Sequence, residues 1–389
     1  LRRGLRGVLR ARRIAPGRLC LRLFGGHRRV VGGLDRLLGG GFGRKSKPDY
    51  VAEAAFLARE VGVPVKLTWT REDDIRNDYF HAVCAQHMEG GLDAQGRTIA
   101  WLHRSVFPSI GSTFTPDVVY GSAGELGQGV TDMPYEVANV QCENGAAQAH
   151  TRIGWYRSVY NIPHGFAQGS FVDELAAAAG QDPVQHLLAL LGSPRHVDLH
   201  ALGVDYPNYG ASIDEYPIDT ARFAAVVRAA AVRSNWSAAL PARHGRGIAV
   251  HRSFLTYVAA VAQVQVADDG SVRVTRVDLA IDCGRIVNPD RVIAQFEDAV
   301  VMALGNTLYS ELTFSSGAAD QSNFTDYRVA RIDSVPETHV YIVPSAAPPG
   351  GVGEPGVPPT MAAICNAISN AVGTRVRALP VDSALLKRA

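Results

Sequence analysis

One short stretch constrains the chain more than any other: Gly350-Gly351-Val352-Gly353-Glu354-Pro355-Gly356-Val357-Pro358-Pro359. A single carboxylate, Glu354, stands between a glycine-rich turn and a proline-rich one, just before the apolar helical run Thr360 to Val372. Glycine admits positive φ and close approach of another group, while proline fixes φ and removes a donor. Glu354 is therefore predicted on stiff, unusual backbone at a helix entrance. Two readings of such a residue stand side by side. It is a capping or solvent-facing glutamate in a Pro/Gly loop, or a carboxylate held in place for acid–base chemistry.

Composition bounds what can surround that loop. A chain of 389 residues, 47% hydrophobic, is long enough for two or three domains or sub-domains with sizeable cores. No apolar run reaches the roughly 18–20 residues that a membrane-spanning helix needs. The overall charge of +2 conceals an asymmetry: residues 1–46 carry thirteen Arg and Lys against one acid, Asp35, leaving −10 on the remainder. An acidic body argues against nucleic acid as a partner. Cys20, Cys84, Cys142, Cys283 and Cys365 are scattered without a CxxC pair. They read as reduced thiols, and no usual iron–sulfur spacing is present in this chain.

Residues 1–36 are almost entirely Arg, Leu, Gly and Val and hold neither a helical nor a strand period. They read as a basic arm or targeting peptide, or as sequence foreign to the folded protein. The last reading is preferred. The next landmark is Leu38-Gly39-Gly40-Gly41-Phe42-Gly43-Arg44-Lys45-Ser46. Four glycines in five residues followed by two cations suggest a backbone cradle for a phosphate or another anionic cofactor. Arg44 stands where either nucleotide fingerprint requires glycine, and a glycine loop without any ligand is the plainer alternative.

Further along, Asp49 to Val61 carries a helical apolar stripe and Val65 to Trp69 alternates like a strand. Arg71 to Asp74 reads as a solvated charge run. His81, Cys84 and His87 lie in a strand-like HAVCAQHMEG and are predicted to be ordinary sheet residues rather than metal ligands. Leu92 to Arg97 reads as the turn of a hairpin. Thr151 to Glu174 crowds Trp155, Tyr156 and Tyr160 around Arg157 before a helix predicted to begin near His164. That guanidinium suits either a clamp on a carbonyl or anion, or a structural cation–π contact. A helix is predicted from Asp182-Pro183, a linker over residues 195–215, and a helix over Ala221 to Ala239. From Arg246 two apolar strand runs flank Asp268-Asp269-Gly270, a β-hairpin signal. Val292 to Leu304 is predicted helical, with Gln295 on it, and Pro336 to Val343 is predicted as a strand leading towards the glutamate loop.

The spellings GGGFGRK, WYRS, QFED and GVGEP, in this order, resemble the molybdopterin-binding large subunit of the xanthine dehydrogenase/aldehyde oxidase family. Within that family the spellings resemble those of isoquinoline 1-oxidoreductase β-subunit-like proteins. The resemblance runs from Leu37 to about Pro380. It implies an α+β fold, mixed β-sheets with packed helices, in which residues 37–195 and 246–380 form two parts of a molybdopterin-binding domain. Residues 196–245 become a linker and helix, and 381–389 a tail. By resemblance Glu354 and Arg157 are catalytic, Glu354 as the base and Arg157 at the substrate pocket, where it stabilises charge growing on the substrate. Gly41, Phe42, Gly43, Gln295 and Gly353 become cofactor-binding, with no metal ligand supplied by the protein. Most members have glycine where this chain has Asp298, and purine-acting members carry an acid where Ser46 and Lys47 stand.

The implied cofactor is a molybdopterin dinucleotide with molybdenum, in the cytosine form, and the implied partner is a 2Fe-2S small subunit that takes the electrons. The implied reaction hydroxylates a carbon of an aromatic N-heterocycle or of an aldehyde, with water as the oxygen source. Such subunits have a further N-terminal half that is not legible here, so the chain is expected to be a C-terminal fragment. Two other readings stay open: a non-catalytic partner or scaffold of the same fold, and a phosphate- or nucleotide-binding enzyme using GGGFGRKS.

Overall fold

A strand such as Thr256 to Val266, TYVAAVAQVQV, is apolar on both of its faces and so has to be covered on both. The architecture answers that demand. In the computed structural model residues 40–115 and 117–388 are described; the Arg-rich segment 1–36 and the first residues of the glycine motif lie outside them.

The chain opens with two helices, α1 (Asp49–Val61) and α2 (Arg71–Asn77), followed by strands β1 (Ala85–Leu92) and β2 (Thr98–Val106). A one-turn helix α3 (Ala123–Leu126) precedes β3 (Asn139–Gly145), and helices α4 (Asn161–Ala178) and α5 (Pro183–Leu191) follow. Two short strands, β4 (His196–Val197) and β5 (Ile218–Asp219), lead to α6 (Thr220–Arg233). Then come β6 (His244–Ser253), β7 (Thr256–Val266), β8 (Val272–Asp282) and the long helix α7 (Pro289–Leu308). A small pair, β9 (Phe314–Ser315) and β10 (Ala318–Ala319), precedes β11 (Glu337–Ile342) and the closing helix α8 (Val357–Val372). Among the described residues no helix is long and apolar enough to cross a membrane.

The main sheet has the order β11-β8-β7-β6, with β11 parallel to β8 and the other pairs antiparallel. Asp268 to Gly270 turns the β7–β8 hairpin, as its spelling predicts. Alternate residues of β7 face opposite layers. Tyr257, Ala259 and Val261 pack with Phe223, Val226 and Val227 of α6, whereas Val258, Ala260 and Ala262 pack with α7 and α8. Helix α8 lies close enough to β6 that a Cβ on Gly247 would stand 2.2 Å from the Ala367 nitrogen, so only glycine fits there. In α7 the residues Val292, Phe296, Val300 and Leu304 recur at helical spacing and are buried in this layer. Gln295 and Asp298 therefore project from the other side.

A smaller sheet, β1-β2-β3, carries an antiparallel β1–β2 hairpin and a parallel β2–β3 pair. Its Trp101 packs edge-on to Phe171 of α4 at 5.0 Å between ring centres. The α+β class with mixed sheets is what the structure has.

Several local expectations differ. Val65 to Trp69 joins no strand, because the alternating pattern has no neighbouring strand to bond. Arg71 to Asp74 is exposed as expected but helical, since Thr70 and Asp73 form a reciprocal capping box. His81 and Cys84 precede β1, and of the three residues only His87 is in the strand. Helix α4 begins at Asn161, three residues before His164. Residues 195–215 are packed rather than linker-like: Leu199, Tyr206 and Asn208 are all buried, and β4 pairs with β5. The tail forms a 3-10 turn at Ser383–Leu386 and buries Leu386.

Candidate functional site

Three turns and one helix meet beside the start of α8. The first is the glycine turn, closed by Arg44 N–H donating to the Gly41 carbonyl at 2.7 Å and Ser46 N–H to the Gly43 carbonyl at 3.0 Å. Phe42 and Gly43 are left-handed, with φ of 48° and 102°. A Cβ on Gly43 would lie 2.1 Å from the Trp155 carbonyl oxygen, which ties this glycine to the turn before α4. The Phe42 ring is half exposed and lies 5.9 Å from the Arg157 guanidinium carbon.

The second turn, Trp155 to Tyr160, is strained. Ser158 and Val159 have φ of 78° and 49°, and a β-branched residue rarely tolerates that region. What holds the strain is specific. Ser158 Oγ donates to the Glu354 carbonyl at 2.7 Å, and Tyr156 Oη donates to Asn306 Oδ1 of α7 at 3.0 Å.

Arg157 sits at the centre, 5% exposed. Its Nε donates to the Gly353 carbonyl at 2.5 Å and its Nη2 to the Gln295 carbonyl at 2.9 Å. Its Nη1 makes an ion pair with Asp298, whose own side chain is 52% exposed. One guanidinium therefore ties the glutamate loop to α7. The sequence left Arg157 either clamping a ligand or serving structure; here most of its donors are committed to protein oxygens.

Glu354 itself is half-buried. Its carbonyl accepts from Val357 N–H at 3.2 Å as α8 begins, with Gly356 at the cap position. Its carboxylate accepts from no other side chain among the described residues. Burial raises its pKa above the ordinary glutamate value, and the Arg157 charge pulls in the opposite direction without cancelling this. The Gln295 side chain is exposed, and its amide has no hydrogen-bond partner among the described residues. Next to Glu354, nothing stands within 4 Å of where a Gly353 Cβ would be.

Gly41, Phe42, Gly43, Arg157, Gln295, Gly353 and Glu354 thus come from chain positions more than three hundred residues apart into one cluster. Ser158 and Asp298 belong to it too. Sequence reasoning noticed Asp298 only as a departure and gave Ser158 no role, because neither left-handed φ nor an ion pair across the fold leaves a local spelling.

Other candidates disperse. Arg44, one of the two cations of the proposed phosphate cradle, pairs with Asp49 at 2.8 Å and also with Asp78. His81 Nε2 bonds the Val159 carbonyl at 3.1 Å, while His87 pairs with Glu89. Among the described residues no three His, Cys, Asp or Glu side chains gather as a metal site. The described cysteines are free thiols.

Comparison with known proteins places the chain in a family. Two family profiles, both described as "Molybdopterin cofactor-binding domain", match residues 22–187 and 120–336. The chain is 33% identical over 364 residues to the membrane-bound aldehyde dehydrogenase [pyrroloquinoline-quinone] of Gluconacetobacter polyoxogenes, covering 90% of this chain and 45% of that protein. It is 29% identical over 357 residues to isoquinoline 1-oxidoreductase subunit beta of Brevundimonas diminuta, covering 90% and 42%. The chain therefore spans less than half the length of either relative. Quinoline 2-oxidoreductase from Pseudomonas putida 86 superimposes with a TM-score of 0.71 at 15% identity, over 88% of this chain and 66% of that one, a likeness of fold. The chain belongs to the molybdopterin cofactor-binding domain family, of the xanthine dehydrogenase/aldehyde oxidase type.

Proposed function

We propose that the chain is the cofactor-bearing part of a molybdenum hydroxylase that converts a C–H bond of an N-heterocycle or an aldehyde to C–OH, with water as the oxygen source. The observation that carries this reading is the meeting of Phe42, Gln295 and the Gly353–Glu354 loop around one buried guanidinium.

The residues fit such a cofactor. A large polar ligand needs groups that other side chains have not already paired, and the cluster presents two, the Glu354 carboxylate and the exposed Gln295 amide, beside open space over Gly353. The exposed Phe42 ring supplies an apolar wall. Gly41, Phe42, Gly43, Gln295 and Gly353 would hold the group, a molybdopterin dinucleotide of the cytosine form. When bound, it supplies the two-electron redox chemistry that turns C–H and water into C–OH, two protons and two electrons.

The protein's own part is proton transfer and placement. Glu354 accepts, at its carboxylate, a proton released from the water-derived oxygen. A half-buried carboxylate whose pKa is raised by desolvation is a stronger base than a free one, which suits a proton acceptor. Arg157 fixes the height of that carboxylate by holding the Gly353 carbonyl, and Ser158 fixes the Glu354 carbonyl. The two electrons leave to a 2Fe-2S partner subunit, as is consistent with the "subunit beta" relative.

Elemental analysis of the complete subunit in its complex tests this reading. Molybdenum near one atom per subunit, lost together with turnover on cofactor removal, is expected. Full turnover in a preparation free of molybdenum overturns it, and would favour a quinone cofactor of the kind the aldehyde dehydrogenase relative's name carries.

A further inference from the structure

A buried guanidinium seeks a carboxylate, and Arg157 has two within its surroundings: Glu354, whose preceding carbonyl it already bonds, and Asp298 on α7. The structure pairs it with Asp298. Resting on the reading of Glu354 as the base, we propose that Asp298 is a positioning residue. By holding the guanidinium towards α7, it keeps that cation from closing on the Glu354 carboxylate and leaves the carboxylate free to take a proton from the group it faces.

The geometry is specific. Asp298 stands three residues after Gln295, so the two share one side of α7, opposite the buried stripe of Phe296 and Val300. From that side the Gln295 carbonyl takes Nη2 while the Asp298 carboxylate takes Nη1, and Met302 Sδ lies 4.0 Å from Nη1. Two acceptors at i and i+3 match the planar fork of an arginine, which then has one orientation on the helix. In that orientation only Nε points to the glutamate loop, and it meets a backbone carbonyl rather than a side-chain carboxylate.

The charged groups around Glu354 are few. Among the described residues Arg157 is the charge acting on it. The Phe42 ring of the glycine turn lies against Arg157, and the Phe254 carbonyl of the β6–β7 turn accepts from Gly351 N–H at 2.8 Å; neither brings a charge. Asp298 acts on Glu354 through Arg157: neutralising the aspartate removes the counter-charge and one anchor of the cation together. Glu354 then feels a less compensated positive charge, its ionised form is favoured, and its proton affinity falls.

The experiment is Asp298→Asn in the complete subunit, prepared both with and without cofactor. Glu354 is titrated by its infrared carboxyl band, which is assigned by its disappearance in Glu354→Gln. The expected result is a fall of about one pH unit in the Glu354 titration midpoint. The acid limb of turnover should move down with it in the loaded enzyme. Asp298→Glu, which keeps the charge, should return both towards wild type. Asp298→Ser gives the same reading if the amide variant folds poorly. An unchanged midpoint in folded Asp298→Asn overturns the proposal, even where Glu354→Gln abolishes turnover. Conversely, a shifted midpoint with full turnover in Glu354→Gln sustains this electrostatic arrangement and removes Glu354 as the base.

Discussion

The central sheet and the glutamate cluster are held together in opposite ways. In the sheet, β7 presents apolar residues to both faces, and α6, α7 and α8 cover them; Val258, Ala259 and Ala260 are fully buried. Its cohesion comes from area removed from water, which is non-directional and tolerant of small shifts. In the cluster, the left-handed Ser158–Val159 step, α7 and the loop before α8 are held by a handful of directed bonds from Arg157 and Ser158, with the glycine turn packed against Trp155. Such bonds fix position more than they add stability. The difference implies that substitutions in the sheet act on folding, while those in the cluster act on cofactor retention and turnover.

The largest stability effect is therefore expected in the apolar layer that backs the cluster, where Phe296 packs against Gly356. Phe296→Ala removes a fully buried ring between α7 and the sheet and should lower the unfolding free energy by about 3–5 kcal/mol, read from denaturant titration. A loss below about 1 kcal/mol would mean that this layer is not the core described. Next comes Gly43→Ala, which puts a Cβ against the Trp155 carbonyl on left-handed backbone. It should cost about 1–3 kcal/mol and reduce cofactor content, because it pushes the Phe42 turn away from the Arg157 turn. Ser158→Ala deletes one hydroxyl donor to the Glu354 carbonyl, with an expected loss of about 1 kcal/mol and a lower kcat at unchanged molybdenum content. Unchanged kcat there would separate the placement of Glu354 from its carbonyl anchor.

The pH dependence sharpens the same contrast. Burial raises the Glu354 pKa in the folded state. The proton is thus held more tightly folded than unfolded, so the stabilising contribution is present below the unfolded value of about 4.3 and is lost as pH rises through the folded value. Burial disfavours the ionised form of this carboxylate in the folded state. Glu354→Gln should accordingly flatten the decline of stability over that window, measured by unfolding at a series of pH values, while Leu191→Ala, in the core on the other side of the sheet, should leave its shape unchanged.

The same division decides what was legible in the sequence. An apolar stripe marks α1 and α7, a continuous apolar run marks α8, and the turn spelling DDG marks the β7–β8 hairpin, so these could be read directly. The alternation in Val65 to Trp69 misled because a strand needs a partner, which a one-dimensional pattern does not supply. Residues 195–215 misled because turn formers such as Pro207 and Gly210 coexist with a buried Tyr206 and Asn208. In the cluster, GVGEP, GGGFG and WYRS were found through unusual backbone residues and a family resemblance. The meeting of Arg157 with Asp298 and the carbonyls of Gln295 and Gly353 depends on contacts between residues 138 to 196 positions apart. No local pattern carries that.

The central claim is that the loop before α8 is built to hold a base rather than to cap a helix. Turnover per bound molybdenum, measured for Glu354→Gln in the complete subunit, tests it most directly. Gln keeps the size of the side chain but cannot accept the proton. The account expects kcat to fall by about 10²–10⁴-fold, with molybdenum content near wild type. A helix-capping or solvated glutamate would instead lose about 0.5–2 kcal/mol of stability with turnover intact, and that result would contradict the account.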